Sequence, residues 1–578
     1  MMDDTVNDQK PSDGVANEHI EQICRDSGSH NKEDDDLESL ERSYSKQIKL
    51  SNVKFLMVLL GFCMAFVGSQ VISLIFAALV TTVANDLNAV DDLVWIFSAG
   101  LVSISAVAPF AGPVADLFGR KSVTIVGVLA SMLGMILCAA TPNGKGFIAG
   151  QAIAGVGVGI QELMSISAVA ELVPTRQRGF YAALVVSTFL PFAPASLYGE
   201  LIAQSSWRYC ACLIAIWNLL TAVVLAIFYN PAPRVNAMGL SRMEMLRRID
   251  FLGGFLMIAG IVVFLIGLNW GGKTYPWGSS AVISCLVLGA ILVGVFILYE
   301  TLWAKYPMFP RRLLRHSRAF IALMVVILVA GVNYIPILFF WVMQSISVYG
   351  SGHVVAGIRT LPFGFCIVGG SLISAIMISS FKGYVRPIMT SFCVIQTVAI
   401  GCMAAVDPNN VNTVWAPLVL GLIGVGGVLV PNQVIVTVIS PDDLIATATS
   451  LTVCLRSVGQ VVGIGIFYTQ FIAKLTEEAE MKMIPAAMEV GITDPLILKE
   501  MASTLLAIPF SEYAAALPQL NTPEKYEFLH LAVINAFGVS FSKVYLISIA
   551  FGVTACIASW FLGDLTSLMD DHIAVSYF

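Results

Sequence analysis

Windows of about twenty apolar residues, the length that crosses a hydrocarbon core of ~30 Å, recur along this chain with little charge inside them. Six come first, at residues 53–80, 93–113, 122–140, 147–171, 180–203 and 209–229. Residues 230–250, NPAPRVNAMGLSRMEMLRRID, then break the run with two prolines and a basic cluster. Eight more follow, at 251–269, 280–302, 319–343, 353–378, 385–406, 415–439, 446–473 and 541–563. The pattern predicts an all-α integral membrane protein of fourteen transmembrane helices. An even count puts both termini on one side.

Short-loop Lys and Arg stay cytoplasmic, and this sets the expected orientation. With the N-terminus inside, the inner loops collect fifteen of them, including Arg120, Lys121, Arg176, Arg178 and the cluster at 311–318; outside stand only Lys145, Arg208 and Lys273. Residues 474–540 then form a long external loop, too long to count in the charge rule. Within it, Pro495–Leu517 is a candidate helix lying against the outer rim, with a plain connector as the alternative.

Composition agrees: 57% of residues are hydrophobic, 12% are charged, and mean hydropathy is +0.82. The formal net charge of −6 belongs to residues 1–50, which hold 13 of 38 acids and 6 of 32 bases, among them the run Glu33, Asp34, Asp35, Asp36. That segment is expected to be a disordered cytosolic tail without a signal peptide. The remainder is nearly neutral and has no basic stripe, so nucleic-acid binding is excluded. Eleven cysteines are scattered without a CxxC pair or a metal-ligand cluster, and no phosphate-binding loop appears, so no metal, cofactor, enzyme chemistry or primary pump is expected.

A weak internal repeat pairs FGRKS after span two with KGYVRP between spans ten and eleven, and VPTRQRG after span four with SPDD after span twelve. It predicts two six-helix bundles, 51–230 and 319–578, around an inserted central pair, spans seven and eight, in 231–318. The loop after span two reads GPVADLFGRKSVTIVG, placing Gly112, Asp116, Gly119, Arg120 and Lys121 at the spacing G-x-x-x-D-x-x-G-R-K. Glycines permit a tight turn there, and Asp116 beside Arg120 offers a charge latch for a rocking motion. This pattern resembles the signature of the major facilitator superfamily. SSWRY before span six, NWGGKTYPW between spans seven and eight, and the inserted pair resemble its fourteen-helix drug:proton antiporter branch. GVGVGIQELMSISAVAELVP, GIRTLPFGF and IAFGVTACIASWFL with HIAV are similar to the fungal trichothecene efflux pump family, whose members include siderophore transporters. The resemblance runs from about residue 50 to the end.

Against that pattern, Gln151 stands where an arginine belongs in span four, FAPASLYG keeps Pro194 and Gly199 but not the glycine run of span five, and Ile72 replaces an aspartate in span one. Proton coupling is therefore expected at a different group. Gln151, Gly155, Val158 and Glu162 recur at i, i+4, i+7 and i+11 and share one helix face. Glu162 lies roughly 13 Å from the inner end of its span. A charged carboxylate there costs about 2.5–3.5 kcal/mol on insertion scales, so a group that gains and loses a proton is the economical form. Arg456, on the span-thirteen stripe Thr449, Thr452, Arg456, Gln460, Gly463, lies roughly 16 Å from Ile445 and needs an anion, a carbonyl or a packed neighbour. Arg359, near the outer end of span ten, is placed to snorkel. The resemblance implies that spans one, four, nine and twelve line a cavity. Those spans supply Phe62, Phe66, Gln70, Gln161, Asn333, Tyr334, Trp341, Asn432 and Gln433, with Gln151 also on span four.

The expected function is export of a hydrophobic or weakly polar small organic molecule by proton antiport with alternating access. Import of an anionic siderophore–iron complex by proton symport is the alternative, followed by a transport-dead membrane sensor. The partners expected are the small substrate, protons and the lipid bilayer. A multi-pass place in the cell membrane is expected, with the vacuolar membrane as the alternative.

Overall fold

In a computed structural model, the described residues are 53–563 except 174, 232–243, 245–248, 273, 382–383, 442–443, 495–496, 499–500, 502–503, 506–509, 516 and 521. The tail 1–50 and most of the linker 230–250 lie outside them. Among the described residues, fourteen helices are long and apolar enough to cross a membrane. They run Val53–Ala78, Leu93–Phe118, Arg120–Ala140, Gly144–Leu172, Phe180–Ala203, Arg208–Phe228, Phe251–Trp270, Ser280–Leu302, Ser317–Ser347, His353–Ile378, Val385–Ala405, Val411–Ile439, Ile445–Val490 and Pro523–Trp560, and are numbered here as spans one to fourteen.

Several helix starts are written locally. Asn143, Asp250 and Ser279 each accept a hydrogen bond from the backbone N–H three residues on, at 2.7, 2.8 and 3.3 Å, satisfying a donor that the first turn leaves open. Span two ends at Gly119, whose φ of +84° a side-chain-bearing residue adopts at a cost. Spans five, nine and ten are interrupted in mid-course. Span five breaks around Leu190–Phe192, with Pro191 inside the break and Pro194 just after it, span nine at Asn333–Tyr334 before Pro336, and span ten at Thr360 before Pro362. Proline removes a donor and clashes with the preceding turn, and non-helical backbone at this depth is tolerated where it is buried in protein or lines a cavity.

Spans one to six and nine to fourteen form two bundles that meet chiefly where span two runs along span thirteen and where span five meets span ten. Spans seven and eight pair with each other, and span seven packs on spans two and thirteen at the seam. Asn269 donates to Ser98 Oγ at 3.4 Å, and Thr469 Oγ1 donates to Gly271 O at 3.3 Å. The pair is peripheral: 17% of the apolar window of span eight is buried, against 83% for span four.

The expectation of a loop over 474–540 is corrected. Span thirteen continues as helix through a π turn at Ala479–Met483 to Val490, and span fourteen begins at Pro523. Lys474 and Lys482 flank Glu478 at 2.9 and 2.6 Å, the i,i+4 pairing that sustains a helix. At 1.5 Å per residue the 46-residue span thirteen is about 69 Å long, far more than a bilayer requires. Within 495–517, the described residues include a short helix Phe510–Ala515, with Phe510 stacked on His530 of span fourteen.

Candidate functional site: a closed central cavity

At the centre of the seam lies a cavity of about 50 Å³ bounded by both bundles. Phe66 and Gln70 come from span one, Glu162 from span four, Tyr334 from span nine, Gln433 from span twelve and Arg456 from span thirteen. The broken spans five and ten add Phe189 and Phe363, the residues beside their interruptions. Arg456 donates from Nη2 to Glu162 Oε2, joining the two bundles through an ion pair. Both side chains are buried, and the Tyr334 hydroxyl lies within electrostatic reach of both. Two intramembrane charges that stand 294 positions apart in sequence thus answer each other's need for a counter-charge.

The remaining expected lining residues lie elsewhere, and helix geometry says why. Adjacent residues on a helix point about 100° apart, so the helical doublets Gln161–Glu162 and Asn432–Gln433 each send one member to the cavity and the other into its own bundle. Glu162 faces the cavity while Gln161 Nε2 donates to Asn218 Oδ1 at 2.9 Å. Gln433 faces it while Asn432 Nδ2 donates to Leu323 O at 3.0 Å. Tyr334 faces it while Asn333 is buried with neither amide atom bonded. Phe62 packs edge-on against Tyr229 at 4.9 Å, and Trp341 donates to Arg359 O at 2.9 Å. Gln151 borders a separate 20 Å³ void between spans one, two and four. Arg359 does not snorkel free: it donates to Ser351 and Ser345 and lies over the Tyr349 ring. Phe189 and Phe363 were missed by the sequence reading, although Pro191, Pro194 and Pro362 beside them were the available signal.

The glycine-acid-basic loop forms a second cluster at one end of the seam, the basic-loop end. Here Asp116 and Arg120 form the expected i,i+4 ion pair, and each has further partners. Arg120 is buried and donates to Glu171 and Ser167 of span four, while Asp116 Oδ1 stands 3.8 Å away. Asp116 also reaches across the seam, its Oδ2 accepting from Thr447 Oγ1 of span thirteen at 3.1 Å. Gly112 permits this approach, since a methyl group there would come to 2.7 Å from both Ala446 O and Ser450 Oγ. Lys121 ties the start of span three to the end of span six, donating to Ala226 O at 2.8 Å and Asn230 Oδ1 at 2.5 Å.

Comparison with known proteins agrees with this architecture. The profile of the fungal trichothecene efflux pump family matches residues 50–578. The efflux pump bfoC of Aspergillus brasiliensis is 29% identical over 437 residues, covering 73% of this chain and 75% of that protein. The MFS-type transporter TOXA of Cochliobolus carbonum is 25% identical over 484 residues, 82% and 86% of the two chains. In fold, the chain is similar to a bacterial homologue of the lysosomal transporter Spinster in an inward-facing form, with a TM-score of 0.56 and 13% identity over 89% of this chain and 98% of that one. The human organic anion transporter MFSD10 gives a TM-score of 0.51 with 12% identity, over 87% and 100%. Fourteen membrane helices, two bundles with a charged centre, and a family match over nearly the whole chain lead to one assignment: the protein is a major facilitator superfamily transporter and belongs to the fungal trichothecene efflux pump family.

Proposed function

We propose that the protein exports an uncharged, hydrophobic or weakly polar organic molecule by alternating access, in exchange for protons moving inward. The observation that carries this reading is the Glu162–Arg456 pair, which joins the two bundles inside a cavity otherwise walled by aromatic, aliphatic and amide groups. The bias of basic residues supports placing the basic-loop end in the cytoplasm. A drug-sized ligand fills roughly 300–1,000 Å³, so the 50 Å³ cavity must widen to admit one. Transport requires the bundles to part at one end and then the other.

Glu162 gives this motion its coupling. A cargo arriving from the cytoplasm inserts a polar group between the paired side chains, donating to Glu162 or accepting from Arg456. After release outside, Glu162 faces water and takes a proton. The neutral acid no longer holds Arg456, for which the Tyr334 hydroxyl and the Gln433 amide oxygen are the nearby acceptors. The carrier then resets and releases the proton inside. Proton and cargo compete for one carboxylate, as exchange in opposite directions requires. The pairing also weakens the importer alternative, because Arg456 is already neutralised and Arg359 is held by serine hydroxyls. An anionic chelate gains little there. Names of relatives such as "efflux pump" support the same direction.

The test is transport in proteoliposomes, using a panel of uncharged apolar metabolites that includes a trichothecene, under an imposed pH gradient. Exchange moves substrate toward the acid side. Movement toward the alkaline side, or transport confined to an anionic iron chelate, would overturn the reading.

A further inference from the structure

Glu200 stands apart from the other buried acids of the first bundle. Glu162 has Arg456, and Glu171 has Arg120. Glu200, 3% exposed, has no basic partner among the described residues, and its Oε1 has no hydrogen-bond partner. It lies on Ala195–Ala203, the part of span five beyond the break, where that span meets His353–Arg359 of span ten across the seam, at the end opposite the basic loops. The contact is close: a methyl group on Gly357 would come to 3.1 Å from Leu197 Cα and 3.3 Å from Glu200 Cγ. Burial here therefore depends on the second bundle being in place.

The surroundings offer no charge to replace water. Span one presents Ile75 and the Leu74 carbonyl, which accepts from Ser196. From span six the titratable neighbour is Cys210, whose Sγ lies 3.7 Å from Gly199 O and which interacts electrostatically with Glu200. Span ten carries His353 and Arg359 on either side of Gly357. Arg359 is committed to Ser351, Ser345 and the Tyr349 ring, and His353 is in electrostatic reach of Glu512. Below Arg359, span ten offers only the thiol of Cys366. An ionised carboxylate shut into such a contact is far costlier than the neutral acid.

We propose that Glu200 is a second protonation site, which lets the end of the seam away from the basic loops close only after it has taken a proton from the medium on that side. This builds on the alternating-access reading, with that end facing outside. While the end is open, Glu200 meets water and ionises. Closing expels the water and requires one proton, so external acid favours closure and external alkali favours opening. One proton per closure shifts the equilibrium by up to about tenfold per pH unit. Because the end reopens to the same side, the proton returns to where it came from. Glu200 sets the gate and leaves the coupling at Glu162 untouched.

The experiment measures the distance between spin labels at Gln204→Cys and Asn410→Cys in nanodiscs, with the exposed Cys212 and Cys402 replaced by serine. The wild-type distance should lengthen as pH is raised. Glu200→Gln, which keeps the shape of the neutral acid, should stay at the short distance at every pH, and Glu200→Asp should retain the dependence. A Glu200→Gln protein that still opens with rising pH, or a wild-type distance indifferent to pH, overturns the proposal. Proton flux per substrate, measured on the same Glu200→Gln protein in proteoliposomes, should match wild type. A changed ratio would also count against a gate-only role. The distance measurement needs no substrate, so it stands or falls separately from the export reading.

Discussion

At the basic-loop end of the seam, Arg120 and its partner Glu171 both belong to the first bundle, and Asp116 crosses to the neutral hydroxyl of Thr447. At the centre, by contrast, each charge sits on a different bundle, Glu162 on one and Arg456 on the other. Among the described residues, parting the bundles at the basic-loop end leaves Arg120 with Glu171 and breaks the Asp116–Thr447 hydrogen bond. Parting them at the centre separates two opposite charges in a low-dielectric site. The first arrangement suits a catch that opens readily. In the proposed mechanism, the second is answered by cargo or by a proton.

The most severe way to break this contrast is to remove one member of the central pair. Arg456→Ala or Glu162→Gln takes from a buried charge its counter-charge, a loss of about 3–5 kcal/mol, visible as a lower midpoint of thermal inactivation in detergent. Glu162→Gln combined with Arg456→Gln should recover most of that loss. Next in size is Gly112→Ala, where the added methyl meets Ala446 O and Ser450 Oγ. Overpacking of this kind costs about 1–3 kcal/mol and should bias the protein toward opening at the basic-loop end. The check is faster labelling of buried Cys454, which donates to Ser105 O across the seam, in a background where other cysteines are replaced.

Asp116→Asn tests the lighter catch. It keeps a hydrogen-bonding group for Thr447, so turnover should fall severalfold while substrate affinity stays near wild type; a large affinity loss with unchanged turnover would contradict the assignment. The smallest effect is expected at Asp86, half exposed beyond span one. Its carboxyl accepts from the Trp207 indole N–H at 2.9 Å and from Arg208 at 2.8 Å, and these partners, the indole first, hold it below the usual carboxylate range. A depressed carboxyl contributes stability above its ordinary titration range and loses it as pH falls through the depressed value. Asp86→Asn should therefore cost less than about 1 kcal/mol at neutral pH, and thermal midpoints of variant and wild type should converge in strong acid.

The sequence carried the spans because twenty-residue apolar windows are a demand of the bilayer itself, and Glu162 and Arg456 stood out because charge inside such a window is costly. That they meet was not legible. Their pairing depends on how two bundles from distant parts of the chain face each other, and helix periodicity describes one helix at a time. The same limit explains the polar doublets: residue type marked Gln161 and Glu162 alike, while only packing decided which one faced the cavity. At 474–540, lower hydropathy was read as a loop, although a helix projecting past a membrane needs charged i,i+4 neighbours such as Lys474, Glu478 and Lys482, not apolar ones.

The central claim is that the cross-bundle pair couples cargo to protons, and its most direct test compares two fluxes in one preparation. Proteoliposomes carrying wild type or the Glu162→Gln, Arg456→Gln double variant are assayed for counterflow of labelled against unlabelled substrate, and for substrate-linked pH change. Wild type should show both. The double variant should retain counterflow, because exchange needs no net proton release, and should show no substrate-linked proton movement. Proton movement per substrate at the wild-type ratio in the double variant would contradict the account and remove Glu162 and Arg456 from the coupling.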